Sequence, residues 1–183
     1  MKRRRELTEV ILDIRNEIPG FNKEELLEYT EWAIPKLYNS LKNGEDLEVK
    51  CKPELINKLD KEKTKYRINK SMDHINVQYV ELFDSIKKDN EMYIQVYLSV
   101  YFYDNVENNI GNNSTNDKYW NDIWIVTYRE GVKSDRRNSN CDNCGAIMEY
   151  NQVRDTFECE YCGNIIHNNS DSKWEIVDIE LGN

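Results

Sequence analysis

The chain has 183 residues, room for one ordinary domain and something small beside it. Charged residues make up 32% and the mean hydropathy is −0.84. β-Branched and aromatic stretches nevertheless recur, which excludes a wholly disordered chain and predicts a soluble globule. After Lys2-Arg3-Arg4-Arg5 charges run from Glu6 to Glu17, so neither an apolar secretory core nor a membrane span is expected there.

Residues 6–18 carry Leu7, Val10, Ile11, Ile14 and Ile18 at three- and four-residue spacings, which predicts a short amphipathic helix ended by Pro19-Gly20. Asn22 and Glu25 form a predicted N-cap and N3 pair. The helix they open holds Leu26, Tyr29, Ala33, Leu37 and Leu41 on one stripe. Pro35 lies inside that stripe and is expected to bend or break it, because proline lacks the amide hydrogen and crowds the preceding turn. Asn43-Gly44 supplies the stop, since both residues tolerate the left-handed conformation. A third helix is predicted from Pro53, carrying Leu55, Ile56, Leu59 and Tyr66.

The period then changes from helical to two. Met92, Ile94, Val96, Leu98, Val100 and Phe102 alternate with Tyr93, Gln95, Tyr97, Ser99, Tyr101 and Tyr103. That pattern predicts a long antiparallel strand with one face in a core. Residues 74–86 are its predicted neighbour, joined through Lys87-Lys88-Asp89-Asn90. Trp120–Tyr128 and Lys173–Leu181 are the third and fourth strands, and Asn105–Asn116 is a solvated loop before the third. Helices followed by a curved antiparallel sheet place the chain in the α+β class.

Between the last two strands stand Cys141-Asp-Asn-Cys144-Gly145 and Cys159-Glu-Tyr-Cys162-Gly163, with 14 residues separating Cys144 from Cys159. Each Cys-x-x-Cys turn sets two sulfurs on one side of a tight loop, and the glycine allows the left-handed backbone such a loop needs. Two facing turns make a tetrahedral four-thiolate site suited to one structural Zn²⁺, held by Cys141, Cys144, Cys159 and Cys162. The competing reading is a pair of disulfides in an exported protein. A bridge within Cys-x-x-Cys would close a very small loop and constrain the unfolded chain little, so zinc in a reducing compartment is preferred. Residues 141–183 hold nine acidic side chains against Arg154 and Lys173. Phosphate binding relies on lysine and arginine, so no nucleic-acid partner is expected. A metal clip that folds a segment too small to build a core is the favoured role.

The combination resembles the Tim-44-like domain family, in the form that carries an inserted zinc ribbon. The likeness rests on Phe21-Asn22-Lys23-Glu24-Glu25-Leu26 through Tyr29, and on Leu41–Leu47 followed by Pro53-Glu54-Leu55. It continues in Asp122-Ile123-Trp124 with Arg129, in Gly131-Val132-Lys133 before the first cysteine turn, and in Lys173-Trp174 after the second. It covers residues 20 to 180. Asp142 stands where such ribbons often carry proline, and the family's usual N-terminal membrane segment is absent from this sequence. The resemblance implies the cone-shaped nuclear-transport-factor-2-like fold, with an N-terminal helix over 1–20. The cone would span 21–140, be completed by 171–183, and be interrupted by a ribbon over 141–170. It also implies a non-enzymatic binding or scaffold role, with a protein partner or a membrane surface. The protein would be cytoplasmic, either free or held peripherally or by a tether at the membrane. The alternative is a small-ligand or enzymatic domain using the cone pocket, because one fold hosts many activities.

Tyr97, Tyr101 and Trp124 are the candidate binding residues. The tyrosine face could line a concave pocket, or pack under the helices with its hydroxyls at the rim; the second is favoured. Trp120, Trp124 and Trp174 are expected to pack the sheet and the ribbon's base, with a surface anchor as the alternative. Adjacent strand residues point to opposite faces, so His74 and Asp73 are not expected to cooperate. His167 follows the second cysteine turn without being needed as a ligand, and Cys51 reads as a small buried apolar residue. The Lys2–Arg5 run suits either anionic headgroups or a frayed terminus. No nucleophile motif, phosphate loop or paired metal-binding carboxylates occur.

Overall fold

A computed structural model describes residues 5–69, 72–104, 118–131, 140–141, 143–151, 156–167 and 173–182. At 72–74, 104, 118, 150–151, 156 and 166–167 the backbone alone is described. The expected loop at Asn105–Asn116, the basic residues Lys2–Arg4, and the side chains of Asp73, His74 and His167 therefore lie outside what is described. The elements in chain order are α1 (Leu7–Glu17), α2 (Lys23–Asn43), α3 (Pro53–Lys61), β1 (Met72–Lys88), β2 (Glu91–Asp104) and β3 (Lys118–Glu130). They are followed by β4 (Glu149–Asn151), β5 (Thr156–Glu158), β6 (Ile165–His167) and β7 (Trp174–Leu181). They form two compact units, Met1–Glu130 with Trp174–Asn183, and Gly131–Lys173.

The larger unit is α+β, three helices and an antiparallel sheet in the order β1-β2-β3-β7. The Asn22 side chain accepts from the Glu24 and Glu25 amides, at 3.0 and 3.4 Å, and so starts α2. Gly44, at φ 69°, ends it in the left-handed conformation. Of the two outcomes expected at Pro35, a bend or a break, the break does not occur; α2 runs on to Asn43. A proline inside a helix costs about 3 kcal/mol. Ala33, Ile34, Leu37 and Tyr38 around it are all at least 98% buried. Burying a large apolar side chain returns roughly 1.5–3 kcal/mol, so the packed face outweighs the lost backbone bond. Pro53 does open α3, but Tyr66 falls beyond the helix end and donates its hydroxyl to the Ile179 carbonyl at 2.8 Å.

Asp89 and Asn90, both at positive φ, make a two-residue turn between Lys88 and Glu91, while Lys87 and Lys88 stay in β1. Two left-handed residues match the twist of the flanking strands. The Met92 to Phe102 alternation puts those six side chains on the helix-covered side, where Ile94 through Phe102 are wholly buried. Trp124, Val126, Tyr128, Ile176 and Ile179 continue that layer, and Val10, Ile14, Leu26, Ile34, Leu55 and Leu59 pack onto it. The tyrosine face of β2 is consequently not under helices; it looks outward from the other side of the sheet. The acidic residue of the Asp122-Ile123-Trp124 segment pairs with Arg67 through two bonds, of 2.6 and 3.1 Å, while Arg129 pairs with Glu175 and Glu91.

The smaller unit is a three-stranded antiparallel sheet, β4-β5-β6. Its core is Cys141, Met148, Phe157 and Cys159, with Ala146 against them. The Gly131 amide donates to the Lys173 carbonyl at 2.7 Å and closes its base.

Candidate metal centre and the open sheet face

The two cysteine turns are near copies of each other. In the first, the Gly145 amide donates to the Cys141 carbonyl at 2.8 Å, and the Cys141 amide donates to Ala146 at 2.7 Å. In the second, Gly163 donates to Cys159 at 2.9 Å, and Cys159 donates to Asn164 at 2.8 Å. Gly145 and Gly163 sit at φ 75° and 72°, and nothing approaches within 4 Å of where a Cβ would stand. Glycine is therefore needed for backbone conformation, not for space.

The four sulfurs lie within 4.8 Å of one another, with Cys141–Cys162 and Cys144–Cys159 at 3.5 Å. Metal–sulfur bonds of about 2.3 Å in a tetrahedron require sulfurs roughly 3.8 Å apart, so the arrangement fits one ion. All five cysteines are free thiols. The Cys144 amide aims at the Cys141 sulfur and lowers that thiol to about 6, against the opposing effect of burial, with the Asn143 amide helping. The Asn164 side chain also donates to the same sulfur, at 3.7 Å. The Cys162 thiol is lowered too, first by the Asn143 side chain and then by the Asn164 amide. Cys144 goes the other way: the Ala146 amide lowers it, but the neighbouring sulfurs, Cys159 foremost, push it up to about 12. Four thiolates this close repel one another unless a cation stands between them. Amides pointed at sulfur are what such a cation needs from its surroundings.

Tyr97 and Tyr101 stand on the open sheet face, each half-buried. Trp124 does not; it is 3% exposed, between Tyr66 and Phe102 at ring distances of 5.9 Å. Trp174 is buried as well, whereas Trp120 is 38% exposed beneath the Arg67 guanidinium, 4.2 Å from its ring. The same open face holds Tyr79, Phe83 and Tyr119, which sequence reasoning missed. Tyr119 stacks on Tyr101 at 5.5 Å, and its alternation with Asn121 and Ile123 was a usable signal. Tyr79 and Phe83 carried no such signal, because bulges in β1 set their direction.

The helix-covered side holds two titratable groups of note, and both are kept neutral. Burial, helped by Glu175, pushes the Cys51 thiol up to about 12. Burial also drives the Tyr128 hydroxyl far above its ordinary value. Neither can serve as a nucleophile or base near neutrality. No described helix is long and apolar enough to cross a membrane. Compared with protein-family models and with curated proteins, the chain matches none.

Proposed function

We propose that the chain is a non-enzymatic binding module of the Tim-44-like kind, a cone-type sheet domain with a structural zinc ribbon inserted between its last two strands. Its open sheet face engages a polypeptide partner at or near a membrane surface. The observation that carries this reading is the outward face of β1, β2 and β3, where Tyr79, Tyr97, Tyr101, Tyr103 and Tyr119 stand on the side of the sheet away from the helix-packed core, with Phe83 at the β1 edge beside α1 and α2. Half-exposed tyrosines offer large, rigid contact area with a polar tip, the composition favoured at recognition surfaces. The opposite face is filled by side chains, and its Cys51 and Tyr128 are chemically quiet, which supports binding over catalysis in a cone pocket. Zinc is the preferred ion because soft sulfurs at tetrahedral spacing are its usual structural ligands.

The test is photo-cross-linking in a membrane fraction, with a photoreactive residue placed at Tyr101 or, as control, at Glu31 on the exposed side of α2. A polypeptide adduct specific to position 101 is expected. Equal labelling at both positions, or none at either, reverses the assignment.

A further inference from the structure

A cleft of about 610 Å³ opens on the outward face of the sheet, lined by Tyr79, Glu81, Phe83, Tyr97, Asn121 and their neighbours Ser99 and Ile123. Its shape depends on two irregularities of β1. Between Val77 and Tyr79, and again between Leu82 and Asp84, β1 gains a residue over β2. The first bulge reverses the alternation that put Ile75 and Val77 on the helix side. Tyr79, Glu81 and Phe83 therefore face outward together, and Leu82 alone of that run is buried deeply. Bulges re-aim side chains in this way and recur beside functional sites. All three outward residues converge on Tyr97, which lies directly across from Glu81 in the register. The Tyr79 and Phe83 rings each stand 6.3 Å from the Tyr97 ring, at interplanar angles of 75° and 33°. The Tyr79 hydroxyl donates to the Glu81 carboxylate at 2.7 Å.

We propose that this cleft binds a quaternary ammonium group, with Tyr79, Phe83 and Tyr97 as its aromatic wall and Glu81 as its counter-charge. Among the residues lining it one is acidic and none is basic, which favours a cation over an anion, although Arg5 and Lys23 line the adjoining hollow that shares Glu81 and Phe83. A primary ammonium carries three donors that hold water tightly. A trimethylammonium group has none; it presents a skin of methyl groups that aromatic faces contact well while their quadrupoles stabilise its charge. The deep apolar pocket that a large neutral ligand needs is missing, because the floor of the cleft is sheet, with Ser99 bonded to Asn121 at 2.8 Å. The inference rests on this face being a binding surface, but not on any protein partner.

The probe is choline chloride, followed by NMR shifts of the aromatic resonances in the intact protein. The control is 3,3-dimethylbutan-1-ol, which has the same shape without the charge. Shifts at Tyr79, Phe83 and Tyr97 with choline are expected, with affinity for the neutral alcohol roughly tenfold lower. Glu81→Gln should weaken choline binding several-fold, and both Tyr97→Ala and the milder Tyr79→Ala should abolish its saturation. Equal affinity for choline and the alcohol, or saturation unchanged in the folded Tyr79→Ala protein, overturns the proposal. No choline shifts in the cleft at tens of millimolar also overturns it, and leaves the cross-linking result at Tyr101 untouched. Sedimentation with phosphatidylcholine but not phosphatidylglycerol vesicles supports it with a lipid headgroup as the source. Choline binding without vesicle binding supports it with the free cation as the source.

Discussion

The two units of this chain are held together by different physics. In the larger one, side chains from three helices and four strands close a continuous apolar layer running from Val10 to Ile179. In the smaller one, the buried cluster is Met148 and Phe157 plus two of the cysteines that face one another across the candidate metal centre. Burial at roughly 25 cal/mol per Å² of apolar surface suffices for the first. The second has too little such surface, and on the proposed reading it draws its folding free energy from coordination.

The contrast is broken most directly by removing the metal. Chelation, or Cys159→Ser, should cost the smaller unit the larger part of an apparent zinc affinity of about 10–16 kcal/mol. Amide exchange over 140–167 should then become fast while β1–β3 stay protected. Metal analysis of the untreated protein should find one zinc per chain, and slow exchange throughout after chelation would show that the ribbon folds without an ion. The complementary change is Leu98→Ala, at a fully buried position facing the helices. It should lower global stability by about 2–5 kcal/mol in denaturant titration, with zinc content unchanged. Loss of zinc in that variant would mean the two units are coupled.

Gly163→Ala sharpens the comparison at smaller scale. The new methyl meets no atom within 4 Å, so its effect is confined to a backbone held at φ 72°. About 1–2 kcal/mol is expected, read as a fall of roughly 5- to 30-fold in zinc affinity, with Gly145→Ala behaving alike. The smallest effect belongs to Lys58, whose ammonium donates to Asp178 at 2.7 Å and to the Ile179 carbonyl at 2.8 Å. Burial works to lower its pKa, but Asp178 outweighs it, and the net shift is upward from 10.5. A raised folded value means the stabilisation is complete below pH 10.5 and is lost as pH rises through the folded value. In Lys58→Met that alkaline slope should flatten, by less than about 1 kcal/mol for so exposed a pair.

Much of this was already written in local pattern. Period-two alternation from Met92 to Phe102 determined a strand and its buried side, because a pleat sends neighbours to opposite faces whatever lies beyond. The cysteine spacing with its two glycines determined a four-sulfur cluster, because that geometry is local to two short turns. Asn22 and Gly44 marked the ends of α2 for the same reason. What needed the tertiary structure depended on partners distant in sequence. Pro35 could be carried inside a helix only because a packed face compensates the missing bond. Trp124 and Tyr97 both looked like aromatic candidates, but which of them meets solvent was decided by the side of the sheet that α1, α2 and α3 cover. The bulges in β1 come from pairing against β2, a register no single strand encodes, and they turned Tyr79, Glu81 and Phe83 toward one cleft.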